Sequence, residues 1–196
     1  MKQPILSILI CTMPQRKAMM NTLLNELYRQ IRERNLENDI EILWLTDEPP
    51  VKMSIGQKRQ QLIEQARGEY VCFIDDDDWV APDYIRIIHT ALMQRPDVVG
   101  ITGIITVNGK QRTARKFIHS SRYKSYFEKQ GIYYRPPNHL NPMRIDIAKK
   151  VDFKNKSHGE DTDWAMELCK LKPYNKELFI QKPIYFYRYQ LKPIYK

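Results

Sequence analysis

Four consecutive aspartates, Asp75 to Asp78, follow directly on a short apolar stretch, Tyr70 to Ile74. Carboxylates gathered where a buried strand ends repel one another. A fold tolerates them there if a hard cation, or donors from a bound ligand, offset the charge. Gly68 stops the polar helical run before the stretch, and Pro82 suits the first turn of a helix after it. A lone acidic run is also compatible with a solvated turn that caps the next helix. Strand signals before it and helix signals after it favour a site at a strand end instead.

The chain upstream repeats this alternation. Ile5 to Cys11 reads as a buried parallel strand, continuous and partly β-branched. Met19 to Arg34 is predicted helical, with Met20, Leu23, Leu24, Leu27 and Ile31 on one face. Ile40 to Leu45 is a second strand, ending in Thr46-Asp47 before Pro49-Pro50, and Gly56 precedes a helix over 57–66. A further helix is expected from about Pro82 to Gln94. Strand and helix in strict turn predict an α/β fold, a parallel sheet with right-handed crossovers. Ligands of such sheets collect beyond the carboxyl ends of the strands, where Thr12, Asp47 and Asp75 to Asp78 fall. The 196 residues suit one domain.

The second half is less regular. Val98 to Val107 and Arg112 to Ile118 are predicted to pair across Asn108-Gly109, a strong hairpin signal. From Lys110 to Arg135 the only acid is Glu128, and basic residues interleave with Phe117, Tyr123, Tyr126, Phe127, Tyr133 and Tyr134. That pattern suits phosphates and stacked rings, and equally an ordinary basic surface. The net charge of +9 also points to an anionic partner: a nucleotide, a nucleic acid or a membrane surface. Downstream lie the polar stretch Asn138 to Pro142, a short helix to Val151, and Gly159-Glu160-Asp161-Thr162-Asp163 leading into Trp164, Ala165, Leu168 and Leu171. Leu178 to Ile180 and Ile184 to Tyr187 read as short closing strands. Cys11, Cys72 and Cys169 are odd in number and lack metal-ligand spacing, so reduced thiols are expected. With no leader at the start and no apolar run of bilayer length, the expectation is a cytoplasmic protein without a transmembrane segment.

Taken in order, these motifs resemble the GT-A fold glycosyltransferases, in particular the family-two group of inverting enzymes. The likeness runs from Ile5 to Leu171: the loop Cys11-Thr12-Met13-Pro14-Gln15-Arg16, the strand-end Asp47, Gly56-Gln57-Lys58-Arg59, Gly68-Glu69-Tyr70 with the aspartates and Pro82, and Glu160-Asp161 at a helix start. Pro14 departs from the aromatic neighbourhood usual in the first loop. The resemblance implies a single Rossmann-like GT-A domain, with a mostly parallel central sheet flanked by helices and a small antiparallel element in the second half. It also implies a nucleotide-sugar-binding part to about residue 107, and an acceptor-binding and catalytic part over 108–196.

The resemblance further implies roles. Thr12, Arg16, Asp47, Lys58, Arg59, Asp75 and Asp76 would bind the nucleotide-sugar, a UDP-sugar first among donors. Asp77, with Asp75, would hold Mn²⁺ or Mg²⁺; four aspartates in a row leave the register open by one, so Asp76 stays a candidate. Lys58 or Arg59 would face the phosphates unless they sit on a solvated helix face. Asp161 would be the general base and Glu160 its orienter, although acids in a first helical turn also complement the helix dipole with no chemistry at all. His139, Asn141, His158 and Trp164 are candidates for acceptor contacts. The acceptor is open between a polyanion such as hydroxymethylated DNA and a surface polysaccharide or glycoprotein glycan. Two other classes are weighed. A sugar-phosphate nucleotidyltransferase would want glycines after the first strand, and Thr12 to Arg16 has none. A non-catalytic nucleic-acid-binding module would rest on the basic half alone.

Overall fold

Strands β1 (Leu6–Cys11), β2 (Ile40–Leu45) and β3 (Tyr70–Phe73) lie side by side and parallel, β1 in the middle, in the computed structural model, which describes residues 2–48, 50 and 52–190. Pro49 of the predicted Pro49-Pro50 break lies outside the described residues. β1 is buried on both faces, which explains its unbroken apolar run. Ile8 and Ile10 pack with Leu23, Leu27 and Ile31 of helix α1 (Lys17–Arg32) and with Ile85 and Ile88 of α3 (Tyr84–Leu92). Leu9 turns to the opposite layer, with Leu62 and Ile63 of α2 (Ile55–Gln65) and Trp164 and Leu168 of α5 (Glu160–Lys170). This is the predicted α/β arrangement: a parallel centre with helices on both faces.

Boundaries moved where caps and packing intervene. α2 begins before Gly56, because Ser54 and Gln57 form a reciprocal capping box. Gly56 therefore sits inside the first turn, where a Cβ would lie 1.9 Å from the Lys154 carbonyl oxygen. The helix after the aspartates starts at Tyr84 rather than Pro82, behind the two-residue strand β4 (Trp79–Val80).

The antiparallel part extends beyond the single predicted hairpin. β5 (Val98–Val107) and β6 (Lys110–His119) do pair antiparallel, with positive φ at Asn108 and Gly109. The later part of the basic-aromatic stretch, for which no strands are predicted, forms a second hairpin: β7 (Phe127–Lys129) and β8 (Ile132–Arg135), turning at Gln130-Gly131 with φ again positive at both. β8 then adds parallel to β6. A short β9 (Met143–Arg144) lies antiparallel between β3 and β5 and leads into α4 (Ile145–Ala148). The two predicted closing strands are one, β10 (Glu177–Tyr189), parallel to β5 and antiparallel to β4. Pro183 suggests a break because it lacks an N–H, but the strand absorbs it with register shifts on either side. Among the described residues no helix is long and apolar enough to cross a membrane.

Candidate active site

β3 ends beside β1, with Ile74 N donating to Leu9 O, and the aspartates turn across the end of the sheet. Their partners alternate. Asp76 is buried and fully engaged: Thr12 Oγ1 donates to its Oδ2 at 2.6 Å and Arg16 Nη1 to its Oδ1 at 2.7 Å. Asp78 is buried against β10, accepting from the Tyr185 hydroxyl and the Arg188 backbone N–H, both at 2.8 Å. Asp75 and Asp77 remain partly exposed. Burial opposes the charge of Asp75, but Arg59 and His139 more than offset it and its carboxyl titrates well below the usual range. Asp77 goes the other way. Burial pushes it up to about 6, with Asp75 and Asp76 adding to the rise and Arg16, 3.2 Å away, only partly countering.

The first turns of α2 supply the cations. Lys58 and Arg59 are only 3% and 5% exposed, so neither lies on a solvated face. Lys58 Nζ donates to Thr12 O at 2.7 Å and pairs with Asp47 at 2.9 Å, tying the ends of β1 and β2 together. Although burial opposes it, Lys58 and the Met53 N–H hold the Asp47 carboxyl below its ordinary value. Arg59 spans the site, with Nη2 at 3.1 Å from Asp75 and Nη1 at 2.9 Å from Glu160, its guanidinium near the rings of Phe73 and Phe153.

α5 opens at Gly159, whose φ of +70° favours glycine. The turn sends Glu160 inward to Arg59 and leaves Asp161 facing a cavity. His139 is held beside β3 by a bond from Phe73 N to its carbonyl oxygen, and its ring stands between two carboxylates. Nε2 lies 3.5 Å from Asp75 and Nδ1 3.6 Å from Asp161.

Two cavities meet here. One, of about 340 Å³, is lined by Thr12, Arg16, Lys58, Asp75, Asp76 and Asp77. The other, of about 220 Å³, is lined by Asp161, His139, Asn138, Tyr133, Phe117 and Arg135, among others. Arg59, Asp75, His158 and Tyr187 border both. Asp47 contributes through Lys58 rather than as a wall of either cavity.

Two expectations are corrected. Trp164 is 2% exposed, stacked on Phe153, with its indole N–H donated to Val151 O, so it is core rather than an acceptor contact. Asn141 is 0% exposed and latches the Asn138 turn to Val99, so it too stays off the cavity wall. Residues that sequence reasoning passed over are Tyr187, Tyr185 and Arg188. Their signal was the aromatic alternation of a strand whose carboxyl end had no motif to mark it. Asn138 and Arg135 also reach the second cavity.

Among the described residues no three His, Cys, Asp or Glu side chains are grouped to hold a metal ion. Asp75 and Asp77 are nevertheless hard oxygen donors on one cavity wall. Mg²⁺ characteristically takes one or two carboxylates together with substrate phosphates, so the pair fits such an ion when a phosphate-bearing ligand completes the shell.

The sequence profile described as glycosyl transferase family 2 matches residues 51–159, from α2 through the aspartates to the start of α5. Over 38 residues, 19% of this chain and 11% of the relative, the sequence is 57% identical to the provisionally assigned glycosyltransferase EpsH of Bacillus subtilis (strain 168). Among solved structures, S. aureus TarS 1-349 superposes with TM-score 0.60 at 16% identity, covering 93% of this chain and 60% of that one. Its complex with UDP gives TM-score 0.62 at 16% identity over 96% and 61% of the two chains. At this identity the likeness is one of fold, and the chain spans about 60% of the length of that structure.

Proposed function

The chain belongs to glycosyl transferase family 2, with the GT-A fold, and on that premise we propose that it is a metal-dependent inverting glycosyltransferase using a UDP-sugar. The observation that carries this reading is the meeting of the two cavities at Asp75, with Asp77 on one wall and Asp161 on the other. The first cavity takes the donor and the second the acceptor. The part to about residue 107 supplies most of the donor side and the part from 108 most of the acceptor side, with Tyr187 and Arg188 reaching back across. S. aureus TarS was crystallised with UDP and with UDP-GlcNAc, which supports a uridine nucleotide here.

In this reading Asp77, assisted by Asp75, would hold Mg²⁺ or Mn²⁺ together with the diphosphate, and such an ion would supply Lewis-acid neutralisation of the leaving group's charge. Asp76 holds Thr12 and Arg16 in place at the donor cavity. Asp47 acts on the donor cavity through Lys58, which it holds against the end of β1. Asp161 accepts the proton of the acceptor hydroxyl as that oxygen bonds to the anomeric carbon. The bond from that carbon to the diphosphate oxygen breaks, and the diphosphate leaves with the electron pair. One displacement inverts the anomeric configuration. Glu160, held by Arg59, fixes the helix start that presents Asp161. The acceptor is placed among polyanions, with hydroxymethylated DNA as one that offers a primary hydroxyl; transfer to a polysaccharide or protein-linked glycan is the alternative.

The test is a thermal-shift panel of nucleoside diphosphates and nucleotide-sugars with and without Mn²⁺, since ligands of the native state raise stability by mass action. A shift for UDP or a UDP-sugar that needs the metal and is lost in Asp77→Ala supports the reading. No shift with any nucleotide overturns it and leaves a non-catalytic binding module in its place.

A further inference from the structure

Three strands present one face to the acceptor side. Because side chains alternate along a strand, Arg115, Phe117 and His119 of β6 share a face, as do Tyr133 and Arg135 of β8, and Tyr185, Tyr187 and Tyr189 of β10; the register shift between Lys110 and Arg115 lets Arg112 and Thr113 both reach its outer end. The inner end of this face is the floor of the cavity that holds Asp161: Phe117 and His119 are buried there, and burial together with the Arg135 charge keeps His119 neutral, its pKa lowered to about 3. The outer end is a cleft of about 630 Å³ lined by Arg112, Arg115, Arg135, Tyr133, Tyr187 and Tyr189, with no acid on its wall among the described residues. Tyr133, Arg135 and Tyr187 line both, so cleft and cavity are continuous.

The cations of this cleft are not engaged by strong internal partners. Arg115 pairs with Glu128 at 2.9 Å, but both are about half exposed, and pairs of that kind contribute little. Arg135 lies over the Tyr126 ring at 5.0 Å, and among the described residues neither it nor Arg112 has a salt bridge. Guanidinium groups bind phosphate oxygens in a forked geometry and stack on rings. Tyrosine rings beside them give bases a surface, whatever their identity. Bases in a duplex are already stacked on one another, so rings of this kind favour an unpaired strand.

We infer that this cleft is the track for an unpaired phosphodiester strand, which delivers one base into the cavity beside Asp161. Arg112 and Arg115 hold phosphates on the approach, and Arg135 holds the phosphate at the mouth. Tyr133, Tyr187 and Tyr189 stack the bases. The inference rests on the glycosyltransferase reading and narrows its acceptor from polyanions in general to nucleic acid.

The experiment is fluorescence anisotropy of a labelled oligothymidylate of about 16 nucleotides, titrated with the full chain at several salt concentrations. Three phosphate contacts on a single strand, at ~0.7 each in log–log slope, predict a roughly twentyfold rise in Kd between about 50 and 200 mM salt. In Arg112→Gln/Arg115→Gln, binding weakens and the rise falls to roughly threefold, since one contact remains. The melting temperature of the double variant verifies that it is folded. No binding by the wild type, or an unchanged salt slope in the folded double variant, overturns the inference. So does displacement of the strand by polygalacturonate as effectively, charge for charge, as by unlabelled oligonucleotide, which would assign the cleft to an acidic glycan. Failure of the glycosyltransferase reading is seen separately: wild type that binds the strand but shows no shift with UDP and Mn²⁺ retains the track and loses the enzyme.

Discussion

At the end of β3, every carboxylate of the run has a partner from another element. Asp76 has Thr12 and Arg16, Asp78 has Tyr185 and the Arg188 N–H, Asp75 has Arg59, and Asp77 has Arg16, at distances from 2.6 to 3.2 Å. Adjoining it, at the outer end of the face formed by β6, β8 and β10, arginines line a cleft with, among the described residues, an exposed pair and a ring contact between them. The first region is an electrostatic network completed by the fold itself, apart from Asp77. The second carries charge the fold leaves largely uncompensated. A buried charge must be matched within the protein, because desolvation is severe, while an exposed one stays available to a ligand. The two regions therefore divide the work of the site: one holds geometry, the other recruits.

The sharpest way to break this division is to remove Asp161, the proposed base, where they meet. Asp161→Asn is expected to lower transfer by 10²- to 10⁴-fold, roughly the range for a general base, while the thermal shift with UDP and Mn²⁺ persists. Equal loss of the nucleotide shift would mean that Asp161 belongs to donor binding instead. Next in size is Arg59→Met. It leaves the buried Glu160 without its charge partner and Asp75 with only His139 beside it, and denaturant unfolding should show a loss of about 3–5 kcal/mol. A cost below ~1 kcal/mol would show that the guanidinium is not the keystone of the network.

Asp77→Asn acts in the opposite direction on stability. In the unfolded chain this carboxyl ionises near 3.8, and in the fold only near 6. The unfolded state thus releases its proton first, so this group's contribution falls as pH rises from about 4 to 6 and stays lowered above that. The substitution should stabilise the ligand-free protein at neutral pH by about 1–3 kcal/mol, while activity, which needs the ionised carboxylate, is lost. In the wild type, metal-dependent nucleotide binding should rise with pH through about 6, as a titration of the thermal shift would show. Gly159→Ala forces a side chain into the left-handed region and should cost ~1–2 kcal/mol. Arg112→Gln, on the exposed face, should change unfolding by less than ~0.5 kcal/mol. A larger effect there would mean that the outer cleft is structural after all.

Much of this contrast was readable before any coordinates. The strands β1, β2 and β3 announce themselves by short apolar runs, and α1 by its period, because elements buried on a parallel sheet have few alternatives. The Asn108-Gly109 turn was equally plain; Gln130-Gly131 was not, since nothing marks Gln130 as a residue that takes positive φ. Trp164 looked like a ligand contact from its place beside Glu160-Asp161. It lies one turn beyond Glu160 on the buried face of α5, and its packing on Phe153 makes it core rather than a wall of the cavity. Asn141 was misread for a similar reason: a buried amide that satisfies backbone groups and one that faces a ligand have the same letter.

What the sequence by itself determined is local: where strands and helices fall, that carboxylates gather at strand ends, and that basic and aromatic residues interleave in the second half. Those follow from propensity, periodicity and charge, which act over a few residues. Tertiary structure alone decided which aspartates are engaged and which face the cavity, because Thr12, Arg16, Tyr185 and Arg188 come from positions far away in the chain. It also decided that Lys58 and Arg59 are buried rather than solvated, and that β10 closes over both cavities with Tyr187. Such pairings depend on the register of strands and the docking of helices, where desolvation requires each buried charge to find partners within the protein.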